Sequence, residues 1–149
     1  MSTVSVSAER RISAPADRVY RILADYREHH PRILPPAFSD FTVEEGGVGA
    51  GTVIRFKVAA GGRTQTFHQR VEEPEPGRVL REQDIDGTRI TTFTVTPDGE
   101  GCVLNIETTW PAVGVRGVVE RLLAPRMLRP IYEDELDRIA AYARDNPGI

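Results

Sequence analysis

Two of the three histidines in the sequence, His29 and His30, stand side by side just before Pro31. Neighbouring side chains point about 100° apart on a helix and to opposite faces of a strand, so at most one imidazole points into the protein. Two roles remain open for His30. It either contacts a ligand or acts as an acid or a base, or it has a surface or capping role where a helix ends before the proline.

The sequence predicts no metal site and no cofactor. A zinc site needs at least three nitrogen, sulfur or oxygen ligands close together, and no such set surrounds the histidines. The glycine-rich run GGVGAG at 46–51 fits neither a dinucleotide-binding nor a P-loop spacing, and no lysine follows it. We interpret the run as a hairpin turn. The acidic residues near the C-terminus are interpreted as a solvated helix face: Glu133, Asp134, Glu135 and Asp137.

Polar residues interrupt the apolar faces of two predicted strands. Alternation places Gln69 on the face of Phe67, and it places Arg89 and Thr91 on the face of Phe93. A buried polar group is costly unless it is hydrogen-bonded, so these residues are candidates to contact a polar group of a ligand or water in a cavity. Alternatively, Gln69 and Arg89 lie near strand ends, where sheet twist exposes them. Both interpretations stay open at this point.

The elements that position these residues follow from the hydrophobic periodicity. Residues 4–12 alternate as a strand, and an amphipathic helix follows from Pro15 and ends near His30. About six strand-like runs come next, separated by turn signals such as Asp86-Gly87. For the run from Val79 to Ile85 both faces carry charge, so its register cannot be assigned.

The C-terminal region returns to helical spacing. Pro125 and Pro130 predict that this long helix is kinked or restarted between them. Two apolar stripes are expected on it: Val115, Val118, Val119, Leu122 and Leu123, then Leu128, Ile131, Tyr132, Leu136, Ile139 and Ala143.

Length and composition limit the class of protein. The 149 residues fit a single domain, 1–149, and the net charge of −3 with scattered arginines argues against a nucleic-acid partner. No run approaches the roughly 18 apolar residues of a membrane span. The lone Cys102 cannot form an internal disulfide, and the first residues contain no apolar secretion segment, so we expect a cytoplasmic protein.

The order strand, helix, strands, long helix predicts an α+β fold in which a bent antiparallel sheet wraps around the last helix. Such packing leaves a concave space between sheet and helix, and apolar spaces with a few polar groups are the usual small-molecule sites.

A family resemblance supports this picture. The runs ISAPADRVYRILADY, GVGAGT and RVEEPEPGRVLRE, an X-Pro crossing and the closing helix occur in the order found in the polyketide cyclase/dehydrase branch of the START-like superfamily. The sequence resembles that branch over nearly its whole length. The resemblance implies a helix-grip fold: about six or seven curved strands around the C-terminal helix, with one or two short helices after the first strand. Relatives usually have an aromatic residue where this chain has His30.

The resemblance implies three hypotheses for function. In the first, the protein binds a hydrophobic or amphipathic molecule (a lipid, an isoprenoid or a polyketide-like ring system), with Gln69, Arg89 and Thr91 holding its polar end. The expected apolar wall consists of Phe56, Phe67, Phe93, Trp110, Met127 and Ile131.

In the second hypothesis, a cofactor-independent aromatase, cyclase or dehydratase uses the same cavity. The weak catalytic candidates are His30, Tyr26 and Tyr132 for proton transfer and Arg89 to stabilise an enolate. In the third, the fold is a protein-interaction module with a vestigial pocket. Since no convergent acid–base pair can be named from the sequence, binding is favoured over catalysis.

Overall fold

The computed structural model describes residues 2–149 and contains seven strands and two α-helices. The strands are β1 (Thr3–Ile12), β2 (Phe38–Glu45), β3 (Val53–Ala60), β4 (Arg63–Glu75), β5 (Val79–Asp84), β6 (Ile90–Asp98) and β7 (Gly101–Pro111). The helices are α1 (Ala16–Ala24) and α2 (Gly114–Asp145), and a 3₁₀ helix spans His30–Ile33. This order confirms the predicted helix-grip architecture.

All neighbouring strands pair antiparallel in one sheet of order β1-β7-β6-β5-β4-β3-β2. Only the pairing of β1 with β7 joins strands distant in sequence. The register aligns Glu82 of β5 with Thr91 of β6, and Thr91 with Thr108 of β7. Because directly paired residues point to the same face, these three polar side chains form one row across the inner surface of the sheet.

Helix α1 is shorter than the sequence predicted. It begins after Pro15 and ends at Ala24, six residues before His30. The carboxylate of Asp25 accepts hydrogen bonds from the backbone N–H groups of Arg27 and Glu28, at 3.1 and 2.9 Å. Such local bonding to the backbone competes with the helical pattern, so the chain turns there. A separate 3₁₀ helix then starts with Pro31 in its first turn.

The glycine-rich run connects β2 to β3, as the turn interpretation predicted. Gly46 and Gly49 adopt φ angles of 67° and 68°, which favour glycine. The loop is fixed to the end of α1, because Tyr26 N–H donates to the Gly47 carbonyl at 2.8 Å and Gly49 N–H donates to the Ala24 carbonyl at 2.9 Å. These bonds hold Tyr26 in place beneath the sheet.

The long C-terminal helix is present as predicted, and α2 is continuous across both prolines, so of the two alternatives, a kink or a restart, the restart was wrong. Each proline removes one N–H donor and frees the carbonyl four residues earlier, at Arg121 and at Arg126. Both of these residues are exposed, so water can hydrogen-bond the freed carbonyls. The C-terminal half of α2 buries Tyr132, Leu136 and Ile139 against the sheet.

No helix in residues 2–149 is both long and apolar enough to cross a membrane.

Candidate functional site

A cavity lies between the inner face of the sheet and the C-terminal half of α2. Its volume open to the centre of a water molecule is about 60 Å3, which is enough for several waters. Its lining is mostly apolar, with a minority of polar side chains. The lining residues are His30, Leu34, Phe38, Phe41, Ile54, Phe56, Val58, Phe67, Gln69, Glu82, Arg89, Thr91, Phe93, Ile106, Thr108, Leu128, Ile131, Tyr132 and Glu135.

Most of the predicted ligand-binding residues border this cavity. Seven of the nine do so: Phe56, Phe67, Gln69, Arg89, Thr91, Phe93 and Ile131. Trp110 and Met127 do not. Met127 is 44% exposed and lies outside the cavity. Its sulfur packs on Gly61 in the β3–β4 hairpin, so closely that a Cβ at Gly61 would stand 2.5 Å from it.

Trp110 is placed beside the cavity rather than in its wall. Its ring lies under the guanidinium of Arg89, with 4.1 Å between the Arg89 Cζ and the ring centroid. Phe67 contacts the same guanidinium at 5.0 Å. Arg89 thus sits between two aromatic rings, and it borders both the cavity and an outer depression lined by Trp110. Within residues 2–149 its guanidinium forms no ion pair.

The main feature that the sequence analysis missed is Glu82. Its side chain is only 6% exposed, and its Oε2 accepts a 2.6 Å hydrogen bond from the Tyr26 hydroxyl. The His30 Nε2 lies 3.7 Å from the same oxygen. Leu80, two residues earlier, is fully buried on the same face, so the pair Leu80 and Glu82 was the signal for the register of β5.

The two histidines point in different directions. His30 is 2% exposed and borders the cavity, whereas the Nδ1 of His29 lies 2.8 Å from the Tyr142 hydroxyl, away from the cavity lining. The His30 Nδ1 lies 2.7 Å from the Leu23 carbonyl, which can only accept, so Nδ1 carries a proton. In the neutral ring Nε2 is therefore the unprotonated nitrogen, and it faces Glu82. His30 therefore lies inside the protein, in the cavity wall.

Tyr26, a predicted catalytic candidate, does not border the cavity. It is completely buried, stacks on His30 with 4.3 Å between ring centroids, and reaches the cavity only through its hydrogen bond to Glu82. Burial raises the pKa of its hydroxyl well above the usual value, so it stays a donor. The structure makes Tyr26 a positioning residue for the carboxylate.

Burial moves the pKa values of His30 and Glu82 in opposite directions. It lowers the pKa of His30 to about 4, although the bond to the Leu23 carbonyl opposes the change. It raises the pKa of Glu82 to about 7, although the hydrogen bond from Tyr26 opposes the change. Near neutral pH, His30 is uncharged and Glu82 is divided between acid and carboxylate. A group in that state can both accept and donate a proton.

Glu135 corrects the interpretation of the acidic run as a solvated face. Glu133 and Asp137 are exposed, but Glu135 is only 3% exposed and borders the cavity. Its position follows from helical spacing, because it lies four residues after Ile131 and three after Tyr132. Burial, followed by the charges of Glu82 and Asp134, raises its pKa well above the usual value. Its environment thus favours the neutral acid form.

A chain of hydroxyl groups forms the third polar feature of the cavity. The Tyr132 hydroxyl donates to Thr108 Oγ1 at 2.6 Å, and Thr108 Oγ1 lies 2.7 Å from Thr91 Oγ1. Burial raises the pKa of Tyr132 to about 12, so it remains a neutral phenol. The chain links α2 to the polar row of β6 and β7.

Gln69 is buried, so the alternative that sheet twist exposes this residue was wrong. Its Nε2 donates to Asp84 Oδ1 at 2.8 Å, and its Oε1 is buried without a hydrogen-bond partner among the described residues. An unpaired buried acceptor is costly, so Oε1 is suited to accept a hydrogen bond from a ligand.

Besides the hydroxyl chain and Gln69, two charged or ionisable regions border the cavity. Glu82 with His30 and Glu135 offers proton acceptors and donors, and Arg89 offers a positive charge. Arg89 lies two residues from Thr91, the partner of Glu82, so the two regions are separated by roughly 7 Å along the strands. Within residues 2–149, no group of three or more potential metal-binding side chains comes together.

The fold and the site define a protein of the helix-grip class, in which a curved sheet encloses a long C-terminal helix and a cavity lies between them. The chain belongs to the family described as polyketide cyclase / dehydrase and lipid transport, whose model matches residues 3–144.

Solved structures agree with this membership. The solution structure of KanY (ms6282) is 32% identical, with a TM-score of 0.84 over 97% of this chain and 99% of that chain. The Zhui aromatase/cyclase from Streptomyces sp. R1128 is 18% identical, with a TM-score of 0.74 over 97% of this chain and 96% of that chain. A START superfamily protein from Mycobacterium smegmatis is 18% identical, with a TM-score of 0.73 over 93% and 98%. The last two support the fold alone. No curated protein matches the sequence.

Proposed function

We propose that the protein binds a compact, ring-containing amphipathic molecule of polyketide-like chemistry in the cavity and catalyses a cofactor-independent proton transfer on it. The observation that carries the proposal is Glu82, a buried carboxyl in the cavity wall whose pKa is raised to about 7. Ionisation of a carboxyl group at this buried position lowers the stability of the fold. The group is therefore not there to stabilise the fold, which favours a role in chemistry.

Size and lining favour rings over long chains. The cavity is small compared with the roughly 300 to 1,000 Å3 of sites for drug-sized molecules, and aromatic side chains supply much of its wall. A flat ring system can stack on such walls, whereas a lipid or isoprenoid chain needs a longer channel. The family description, polyketide cyclase / dehydrase and lipid transport, also supports a polyketide-like substrate.

The proposed reaction begins with proton abstraction. The Glu82 carboxylate removes a proton from the carbon next to a substrate carbonyl, and the electron pair moves onto the carbonyl oxygen to give an enolate. The enolate carbon then attacks a second carbonyl of the same molecule, forming a carbon–carbon bond. The protonated Glu82 returns its proton to the new alkoxide, so atoms and charge balance without a cofactor.

The other polar residues stabilise charge during these steps. The Arg89 guanidinium is partly removed from water and has no ion-pair partner within residues 2–149, so it is suited to a developing enolate or to an acidic substituent. Glu135, whose pKa is raised well above the usual value, can donate a hydrogen bond to a carbonyl oxygen in its acid form. Tyr132 already donates its hydroxyl proton to Thr108, so it supports the hydroxyl chain beside the substrate. His30 stays uncharged and so does not neutralise Glu82, whereas the hydrogen bond from Tyr26 keeps the carboxyl oriented.

A hydrogen-exchange assay tests the proposal. Acetophenone and 2-acetonaphthone are incubated with the protein in D2O, deuterium incorporation next to the carbonyl is followed by NMR, and binding of the same ketones is measured by thermal shift. We expect exchange above the buffer rate in the wild type and in the exposed control Glu133→Gln, and loss of at least tenfold in Glu82→Gln. If the ketones bind but their exchange does not depend on Glu82, the proposed catalysis is refuted and only a binding function is supported.

A further inference from the structure

The N-terminal half of α2 has an apolar face that points away from the protein. Val115, Val118, Val119 and Leu122 follow the spacing i, i+3, i+4, i+7, and they are 82, 58, 46 and 68% exposed. On the opposite side of this segment, the small residues Gly117 and Ala124 are buried. The four exposed residues are called the outer stripe below.

The outer stripe belongs to a concentrated apolar surface. Among residues 2–149, nine large hydrophobic side chains are exposed, and seven of them fall within 113–127. Scattered exposed hydrophobics are ordinary, whereas a contiguous set on one helix marks an interaction surface. The seven are Val113, Val115, Val118, Val119, Leu122, Leu123 and Met127.

The charges around the outer stripe are mainly positive. Residues 114–129 contain four arginines and one glutamate, a net charge of +3 in a chain whose total is −3. Arg116, Arg121 and Arg126 are exposed and form no salt bridge within residues 2–149. This segment is therefore cationic as well as apolar.

We propose that the outer stripe docks on an anionic lipid bilayer, with this part of α2 lying in the plane of the interface. Arg116 and Arg121 lie roughly 110° to either side of the stripe, at 100° per residue. Long arginine side chains on both flanks can reach lipid phosphates while the stripe enters the boundary of the acyl chains. A symmetric arrangement of this kind fits a flat anionic surface.

Pairing with a second copy is disfavoured by charge and by size. Two copies would bring two segments of charge +3 together. Residues 113–127 extend about 21 Å along the helix axis and about 10 Å across, well short of the roughly 800 Å2 that each partner contributes to a standard interface.

The docking surface adjoins the cavity. Leu128 and Ile131, in the next turn of α2, line the cavity wall. A protein held by the outer stripe would thus have this part of its cavity wall next to the bilayer. The inference goes beyond the proposed catalysis and does not depend on it. The two are tested separately, because the exchange assay contains no lipid and the vesicle assay measures no exchange.

Vesicle co-sedimentation of the full chain tests the proposal. The vesicles are phosphatidylcholine alone or with about 30% phosphatidylserine, at 0.1 and 0.5 M NaCl. Wild-type protein should bind the anionic vesicles at low salt, bind pure phosphatidylcholine far more weakly, and lose most binding at high salt. Equal binding to both lipids, or no binding, would overturn the proposal.

Substitutions at exposed positions locate the surface. Arg121→Glu should weaken binding by about 30-fold, which corresponds to two charge units at about 1 kcal/mol each. Leu122→Asp should abolish it. The matched controls Arg70→Glu and Val48→Asp, at exposed positions outside the segment, should bind like wild type. Equal binding by Leu122→Asp and Val48→Asp would overturn the proposal. Sedimentation velocity provides a further test. A wild-type dimer that Leu122→Asp dissociates would also overturn the proposal, because a second copy of the chain would then cover the outer stripe.

Discussion

Tyr26 donates a 2.6 Å hydrogen bond to Glu82 across 56 residues of sequence, joining the end of α1 to the inner face of β5. Both residues are buried, and only Glu82 borders the cavity. The hydrogen bond opposes the effect of burial on the pKa of Glu82. Burial, opposed by the hydrogen bond from Tyr26, therefore sets the pH at which the carboxyl can act as a base.

The pH dependence of exchange follows from this relationship. In the wild type, the rate of ketone exchange at low substrate concentration should rise with pH and level off above about 7, as Glu82 ionises. Tyr26→Phe removes the hydrogen bond that favours the carboxylate, so its midpoint should move to higher pH. The phenol of Tyr142 is half-exposed, and Tyr142→Phe serves as the control. An unshifted midpoint in Tyr26→Phe would show that this hydrogen bond does not tune Glu82.

Stability should report the same ionisation. A carboxyl whose folded pKa is raised from 4.5 to about 7 opposes folding increasingly as pH rises through that window. Glu82→Gln removes this effect and can still accept a hydrogen bond from Tyr26. Relative to wild type, its free energy of unfolding should increase by about 3 kcal/mol between pH 4.5 and pH 8. His30 has the opposite dependence, because its lowered pKa destabilises the fold as pH falls from 6.5 to about 4, and it is present in both proteins.

Urea unfolding at pH 4.5, 6 and 8 measures this difference. The exposed variant Glu133→Gln should show no pH-dependent change relative to wild type. A constant difference between Glu82→Gln and wild type across these pH values would mean that Glu82 ionises with its ordinary pKa.

Arg89 should select ligands by charge. Replacement by Met keeps an apolar side chain between Phe67 and Trp110 but removes the cation. We expect Arg89→Met to weaken binding of 2-naphthoate by at least tenfold while changing binding of neutral 2-naphthol less than threefold. The loss of cation–π contacts should cost about 1 to 2 kcal/mol of stability. Calorimetry with both probes distinguishes the roles, since equal losses for the two ligands would indicate a packing role alone.

The hydroxyl chain should matter for stability. Thr108 is buried and accepts the hydrogen bond of Tyr132, so Thr108→Val leaves a buried phenol without that partner. We expect a loss of about 1 to 3 kcal/mol in the free energy of unfolding. Thr109, the next residue, points to the other face of β7 and is half-exposed, so Thr109→Val should change stability by less than about 0.5 kcal/mol. Equal effects at both positions would argue against a structural hydroxyl chain.

The fold was predictable because its signals are local. Strand alternation, turn dipeptides and the periodicity of the last helix gave the order of elements, and the family landmarks gave their arrangement. The end of α1 was not predictable in the same way, because Asp25 ends it through side-chain bonds to the backbone ahead of the proline.

The site was predictable only in part. The sequence does not always show which face of a strand or helix points to the interior, and burial depends on that face. Phe56, Phe67 and Phe93 lie in apolar alternation and were assigned correctly to the inner face. Glu82 was missed because charge on both faces of β5 hides its register. Glu135 was missed because its acidic neighbours resemble a solvated face, although its spacing from Ile131 and Tyr132 indicated the cavity side.

The outer stripe was predicted as an apolar helix face, but what surrounds it was not. The structure places this face on the exposed side of α2. Periodicity identifies an apolar face but not the surface that covers it.

A direct measurement of the Glu82 ionisation tests the central claim. Protein labelled with 13C at the glutamate side-chain carboxyl is titrated by NMR from pH 4 to pH 9, and the Glu82 resonance is assigned by its absence in Glu82→Gln. We predict a midpoint near 7 for this resonance, as a cavity base in partial ionisation at neutral pH requires. A midpoint near 4.5 would contradict the acid–base role, because an ordinary surface-like carboxyl would then occupy the site.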